Sequence, residues 1–93
     1  MLNPNIHILI LNWNGFELTK DCIESVYLST YTNYTLTVID NNSSDSSVEK
    51  LKDCFADLNI IELDSNYGYG GGYNKAFEHL KWNGEYYMLL NND

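Results

Sequence analysis

Asp40 follows an apolar run and precedes Asn41-Asn42-Ser43-Ser44-Asp45. An ionised carboxylate in that place can accept a hydrogen bond from an imide N–H, such as that of uracil or thymine. The alternative is an Asp that caps a turn or the next helix. Trp13 stands between Asn12 and Asn14. Its indole could stack on a base or sugar, or pack beneath a loop. The run from Asn66 to Lys75 holds Gly68, Gly70, Gly71 and Gly72. Glycines ahead of a helix let backbone amides approach a ligand, and a helix N-terminus favours an anion. Tight helix–sheet packing is the other use of such glycines. Asn91-Asn92-Asp93 offers one carboxylate beside amide oxygens. Facing a diphosphate, that set suits a hard cation such as Mg²⁺ or Mn²⁺.

These clusters share one position: each follows an apolar run. The runs are Ile6–Leu11, Leu36–Ile39, Ile60–Leu63 and Tyr86–Leu90. Helical periodicity fills the intervals between them. Leu18, Cys22, Ile23 and Val26 form one stripe, with Asn14 as cap and Glu17 three residues on. Val48, Leu51, Phe55 and Leu58 form a second, opened by a capping box over Ser46-Ser47-Val48-Glu49. Tyr73, Ala76, Phe77 and Leu80 form a third. The strands are expected over Ile6–Leu11, Tyr34–Ile39, Asn59–Leu63 and Tyr86–Leu90. This βαβαβαβ order predicts a three-layer α/β/α fold around a parallel sheet with right-handed crossovers. The predicted strand order is 3-2-1-4. All four polar clusters then lie along the carboxyl edge of the sheet, where open α/β folds bind ligands.

Composition narrows the classes. Ninety-three residues with 44% hydrophobic content make one small domain. The net charge of −8 disfavours nucleic acid and anionic membrane surfaces. No apolar stretch reaches the ~20 residues a membrane span needs. The start lacks a signal-peptide pattern. The five cations are all lysines, so no guanidinium can clamp a phosphate. Cys22 and Cys54 are expected as reduced core thiols of a cytoplasmic protein. The glycine run is neither a Rossmann fingerprint nor a P-loop. His7 and His79 share no metal-ligand spacing and are given no role.

The segments ILILNWNG, TVIDNNSSDSS, NYGYGGGYNKA and YYMLLNND, in this order, resemble the N-terminal part of a family 2 glycosyltransferase of GT-A fold. The resemblance is nearest to the rhamnosyltransferase-like branch of surface-polysaccharide enzymes. It implies hexosyl transfer from a nucleotide-diphospho-sugar to a saccharide acceptor. It places Asn12, Trp13 and Asn14 against the base and makes Asp40 the base-binding acid, with Asn42 beside it. Asn66, Gly68, Asn74 and Lys75 fall near the ribose and diphosphate. Asn91-Asn92-Asp93 matches the D-x-D-like element, with Asn92 on the donor and Asp93 as ligand of Mg²⁺ or Mn²⁺. Residues 1–93 would be the donor-binding part, truncated after that element. The acceptor site and the general base would lie outside it, so the chain alone is expected to be inactive. The implied location is the cytoplasm, free or peripheral at the inner face of the membrane. With nothing after Asp93, the fourth strand would be an open apolar edge, and a homodimer or larger assembly through it, or poor solubility, is expected. A stand-alone nucleotide-sugar-binding module is the alternative. A receiver-like signalling domain fits poorly, because the first strand ends in Asn, Trp and Asn rather than an acidic pair.

Overall fold

The computed structural model describes residues 5–80 and 86–90. Seven elements alternate along the chain: β1 (Ile6–Asn12), α1 (Phe16–Tyr27), β2 (Tyr34–Asp40), α2 (Ser47–Cys54), β3 (Asn59–Glu62), α3 (Gly68–Phe77) and β4 (Tyr86–Leu90). The four strands form one parallel sheet in the order β3-β2-β1-β4. This is the expected topology.

The faces follow from the two-residue period of a strand. Ile8, Ile10, Leu36 and Val38 point to one face and pack with Ile23 and Val26 of α1 and Leu51 of α2. Leu9 and Ile39 point to the other and pack with Tyr73 and Ala76 of α3. Two crossovers run from β1 outward to β3; the third returns across β1 to β4. That reversal puts α3 on the face opposite α1 and α2. β1 and β2 are buried on both faces, so they read as continuous apolar runs rather than alternating ones.

Several local expectations are corrected. The cap of α1 is Gly15, with no side-chain cap bond. Asn14 adopts a left-handed φ of 49° and uses its carbonyl oxygen elsewhere. Leu18 is exposed and Thr19 is the buried residue of that turn. The capping box also fails. Ser46 sits at φ 64° without a cap bond, and Asp45 accepts the Ser47 N–H at 3.0 Å instead. The turn into α2 is tight enough for a nearer acceptor to win. Phe77 is partly exposed, with its ring edge-on to Tyr87 at 5.3 Å. Cys54 is exposed, so only Cys22 is partly covered, and both thiols are free. Burial pushes the Cys22 thiol up from its usual pKa.

β4 pairs with β1 from Ile6↔Tyr86 to Ile10↔Leu90. Among the described residues, no strand pairs with its other side. Tyr86, Met88 and Leu89 are exposed.

Candidate functional site at the carboxyl edge

β1 and β2 end in register, with Asn12 opposite Asp40. The strand period puts both on the face that carries α1 and α2. Both are buried, Asp40 at 3% exposure. Asn12 Nδ2 donates to Asp40 Oδ1 at 2.8 Å. Thr19 Oγ1 donates to Asn12 Oδ1 at 2.6 Å and ties the pair to α1. Ser43 folds back over the carboxylate. Its hydroxyl donates to Asp40 Oδ1 at 2.7 Å and its N–H donates to Oδ2 at 2.9 Å. Three protein donors therefore reach the buried carboxyl group. A carboxylate has about four acceptor positions, so one on Oδ2 remains.

The same serine joins the two loops. Asn14 N–H donates to Ser43 Oγ at 2.9 Å, and Ser44 N–H donates to Asn14 Oδ1 at 2.8 Å. Asn42 also adopts a left-handed φ of 64° and is exposed. Trp13 is 53% exposed at the tip of this joined loop pair. An indole held open beside buried polar groups is free to stack on a flat ligand.

One residue further along β2, the side chains switch faces. Asn41 is 2% exposed and points toward α3. Its Oδ1 accepts the Tyr67 N–H and its Nδ2 donates to the Gly68 carbonyl, both at 3.0 Å. Asn66 caps the next amide, Gly68 N–H to Asn66 Oδ1 at 2.8 Å. Gly68 has a φ of 77°, which only glycine adopts at low cost. A Cβ on Gly72 would stand 2.8 Å from Leu11 Cδ1 and 3.1 Å from Asn41 Nδ2, so a side chain there would force these two to shift, and helix–sheet packing favours glycine. The packing reading of the glycine run thus holds at Gly72.

The network brings together Asn12, Trp13, Asn14, Asp40, Asn42, Asn66 and Gly68. Asn74 and Lys75 lie further along α3. Asn74 is exposed. Lys75 Nζ lies 3.5 Å from Glu78 Oε1 and 5.2 Å from the centre of the Tyr67 ring. Tyr67 in turn donates its hydroxyl to Asp64 at 2.5 Å, and that bond raises its pKa. The expectations for Asn91, Asn92 and Asp93 fall outside the described residues. Among the described residues, no group of three His, Cys, Asp or Glu side chains converges as a metal site. Thr19, Asn41 and Ser43 were not expected at the site. Alternation would have been the signal for Asn41, because a polar residue one past Asp40 faces the other layer.

Two hollows flank the sheet. A polar cleft of about 220 Å³ opens between the β2 and β3 ends and α2, lined by Asp40, Ser43, Ser47, Glu49 and Glu62 among others. A larger, mainly apolar one of about 570 Å³ lies between α1 and β4, with Leu18, Cys22, Val26, Met88 and Leu90 in its wall.

Comparison with known proteins follows this geometry. The chain is 28% identical over 90 residues to the teichoic acid poly(glycerol phosphate) polymerase of Staphylococcus epidermidis, covering 92% of this chain and 12% of that protein. Its fold matches residues 1–349 of S. aureus TarS in complex with UDP-GlcNAc, with a TM-score of 0.78 at 18% identity over 96% of this chain and 26% of that one. It also matches the mannosyltransferase PcManGT of Pyrobaculum calidifontis in complex with GDP-Man and Mn²⁺, with a TM-score of 0.70 at 19% identity, covering 87% and 26%. The chain therefore spans well under two thirds of each of these proteins. Residues 7–93 match the profile described as Glycosyl transferase family 2, which is nearly the whole sequence. The parallel sheet of order 3-2-1-4 is shared with these folds, and the chain belongs to glycosyl transferase family 2.

Proposed function

We propose that residues 1–93 are the donor-binding N-terminal part of a glycosyltransferase that moves a hexosyl group from a nucleotide-diphospho-sugar to a saccharide acceptor in surface-polysaccharide synthesis. The observation that carries this is the joining of three loops at one sheet edge through Asn12, Asp40, Ser43 and Asn41. Such a frame presents Trp13 and the α3 start to one ligand. The S. epidermidis relative supports a wall-polymer setting, and the branch resemblance makes a rhamnosyl donor one arm of the test.

Electrostatics divides the ligand between the subsites. The polar cleft carries Asp40, Glu49 and Glu62, so it repels phosphate and suits the neutral base. The free position on Asp40 Oδ2 would accept the base N–H while Trp13 stacks on its face. Asn14 and Asn42 would contact the base or ribose from the loop tips. The diphosphate would then meet the α3 start, with Asn66, Asn74 and Lys75 nearby. A bound Mg²⁺ or Mn²⁺ supplies charge neutralisation of the leaving diphosphate. The oxygen-rich set of Asn91, Asn92 and Asp93 fits a hard cation, and Asp93 would hold it. No residue of this chain is assigned as general base, and the acceptor is assigned to no surface of it.

The apolar wall of Met88 and Leu90, beside exposed Tyr86 and Leu89, also supports self-association through the β4 edge. Light scattering across a concentration series tests it, and a monomer at every concentration rejects it. No helix among the described residues is long and apolar enough to cross a membrane. A cytoplasmic place, free or against the inner face of the membrane, fits the donor chemistry.

Calorimetric titration with UDP-, dTDP- and GDP-sugars, each in Mn²⁺ and in EDTA, tests the donor reading. One nucleotide class should bind, and its affinity should fall in EDTA. Equal affinity in both media rejects the cation's role, and no binding by any donor rejects the function.

A further inference from the structure

β4 is held to the sheet along one side. β1 pairs with that side, and among the described residues no strand pairs with the other. Its register with Ile6, Ile8 and Ile10 puts Tyr86, Met88 and Leu90 on the face that carries α1. On that face the hollow of about 570 Å³ separates β4 from α1. Met88 and Leu90 stand in one wall, and Leu18, Cys22 and Ser25 in the other. The strand therefore has room to move toward α1.

The restraint comes from the opposite face. Tyr73 of α3 is 3% exposed. Its hydroxyl donates to the Leu90 carbonyl at 3.3 Å. The Leu11 backbone also forms a hydrogen bond with this hydroxyl. One oxygen thus ties the carboxyl ends of β1 and β4 to α3. Gly72 lets it reach them, because a Cβ there would stand 2.8 Å from Leu11 Cδ1 and press the helix away from the sheet. Phe77 meets Tyr87 edge-on at 5.3 Å, nearer the start of the strand. A ring contact tolerates small displacements that a hydrogen bond does not.

We infer that the Tyr73 hydroxyl is a latch: it holds the carboxyl end of β4 against α3, and without it that end swings into the hollow beside α1. Leu90 pairs with Ile10 near the end of β1. The swing therefore changes the width of the crevice between β1 and β4, at the edge where open α/β sheets take ligands. This holds whatever ligand the crevice receives, so it stands apart from the donor reading.

Amide hydrogen exchange tests the latch in the wild-type chain, Tyr73→Phe, Ser25→Phe and the double variant. Phenylalanine at 73 keeps the ring and removes only the hydroxyl. Val38 and Ile39, fully buried in the inner strand β2, report global unfolding, and Leu90 reports β4. In Tyr73→Phe, Leu90 should exchange roughly tenfold faster, beyond any change at Val38 and Ile39. Ser25 is exposed on the α1 wall, so a phenylalanine there occupies the hollow without entering the core. In the double variant it should return Leu90 to within about threefold of wild type. Should Tyr73→Phe fail to fold, Ser25→Phe alone decides, and it should slow Leu90 exchange while leaving Val38 and Ile39 unchanged. Unaltered exchange at Leu90, or equal acceleration at all three amides, overturns the latch. Fast Leu90 exchange that Ser25→Phe does not slow overturns the swing into the hollow.

Discussion

Replacing Asp40 with asparagine should weaken the fold of this domain as well as any ligand contact. Asp40 Oδ1 faces two donors, Asn12 Nδ2 and Ser43 Oγ, and Oδ2 faces the Ser43 N–H. An asparagine supplies one oxygen and one NH₂ group. With its oxygen toward Asn12, the NH₂ confronts the Ser43 N–H. Flipped, it confronts Asn12 Nδ2. Either way one charge-assisted bond is lost and a donor is left unpaired in a site only 3% exposed. The combined cost should be about 2–4 kcal/mol. A domain of this size has roughly 5–14 kcal/mol in total, and the loss should lower Tm by roughly 10–30 °C. Urea unfolding followed by circular dichroism measures it directly. A double-mutant cycle with Ser43→Ala should show coupling of about 0.5–3 kcal/mol, since the two residues share the network. Stability of Asp40→Asn within about 0.5 kcal/mol of wild type, with no coupling to Ser43, would refute this account. Weaker nucleotide binding by the variant bears on Asp40 Oδ2 only under conditions where its fold is intact.

Gly72→Ala should destabilise by about 1–3 kcal/mol, because Leu11 and the doubly bonded Asn41 must give way. Gly70→Ala should instead gain up to about 1 kcal/mol in denaturant unfolding from helix propensity, while weakening any diphosphate that approaches its amide. Burial raises the Tyr73 phenol to about 12. The unfolded chain releases that proton near 10, so this contribution is complete below pH 10 and is lost as pH rises toward 12. Alkaline unfolding should show the slope, on the order of 2 kcal/mol across that window, and Tyr73→Phe should flatten it. Trp13→Ala should change stability by less than about 1 kcal/mol, since the ring is half exposed, and should cost about 1–3 kcal/mol of nucleotide affinity. Unaltered affinity would remove Trp13 from the site.

The layers were legible because burial on both faces leaves an unmistakable trace: Ile8 to Ile10 and Leu36 to Ile39 admit almost no polar residue. Strand order followed from the βαβαβαβ pattern and from the polar clusters at all four strand ends. Helix starts were less legible. Asn14 and Ser46 have the right types for caps, but the Asn14 side chain is taken by the contact with Ser44, and both residues adopt a left-handed backbone. Helical spacing also pointed to Leu18, although the small Thr19 is what fits beneath Asn12. At the site, residue types gave Asp40 a ligand role, but only coordinates show that three protein donors already hold it. The link from Asn41 to Tyr67 and Gly68 spans 26 and 27 positions and leaves no local pattern in the sequence.

That shared use of Asn12, Asp40 and Asn41 changes how variation among relatives should be read. A lineage that keeps the fold is under pressure to keep these side chains, whether or not it still handles a donor. Their invariance across homologues would therefore say nothing about catalysis, and a decayed, inactive copy would retain them. Trp13 and Asn42, exposed at the loop tips, are under no such demand from packing. Those are the positions where loss or exchange of a ligand would first leave its mark on the sequence.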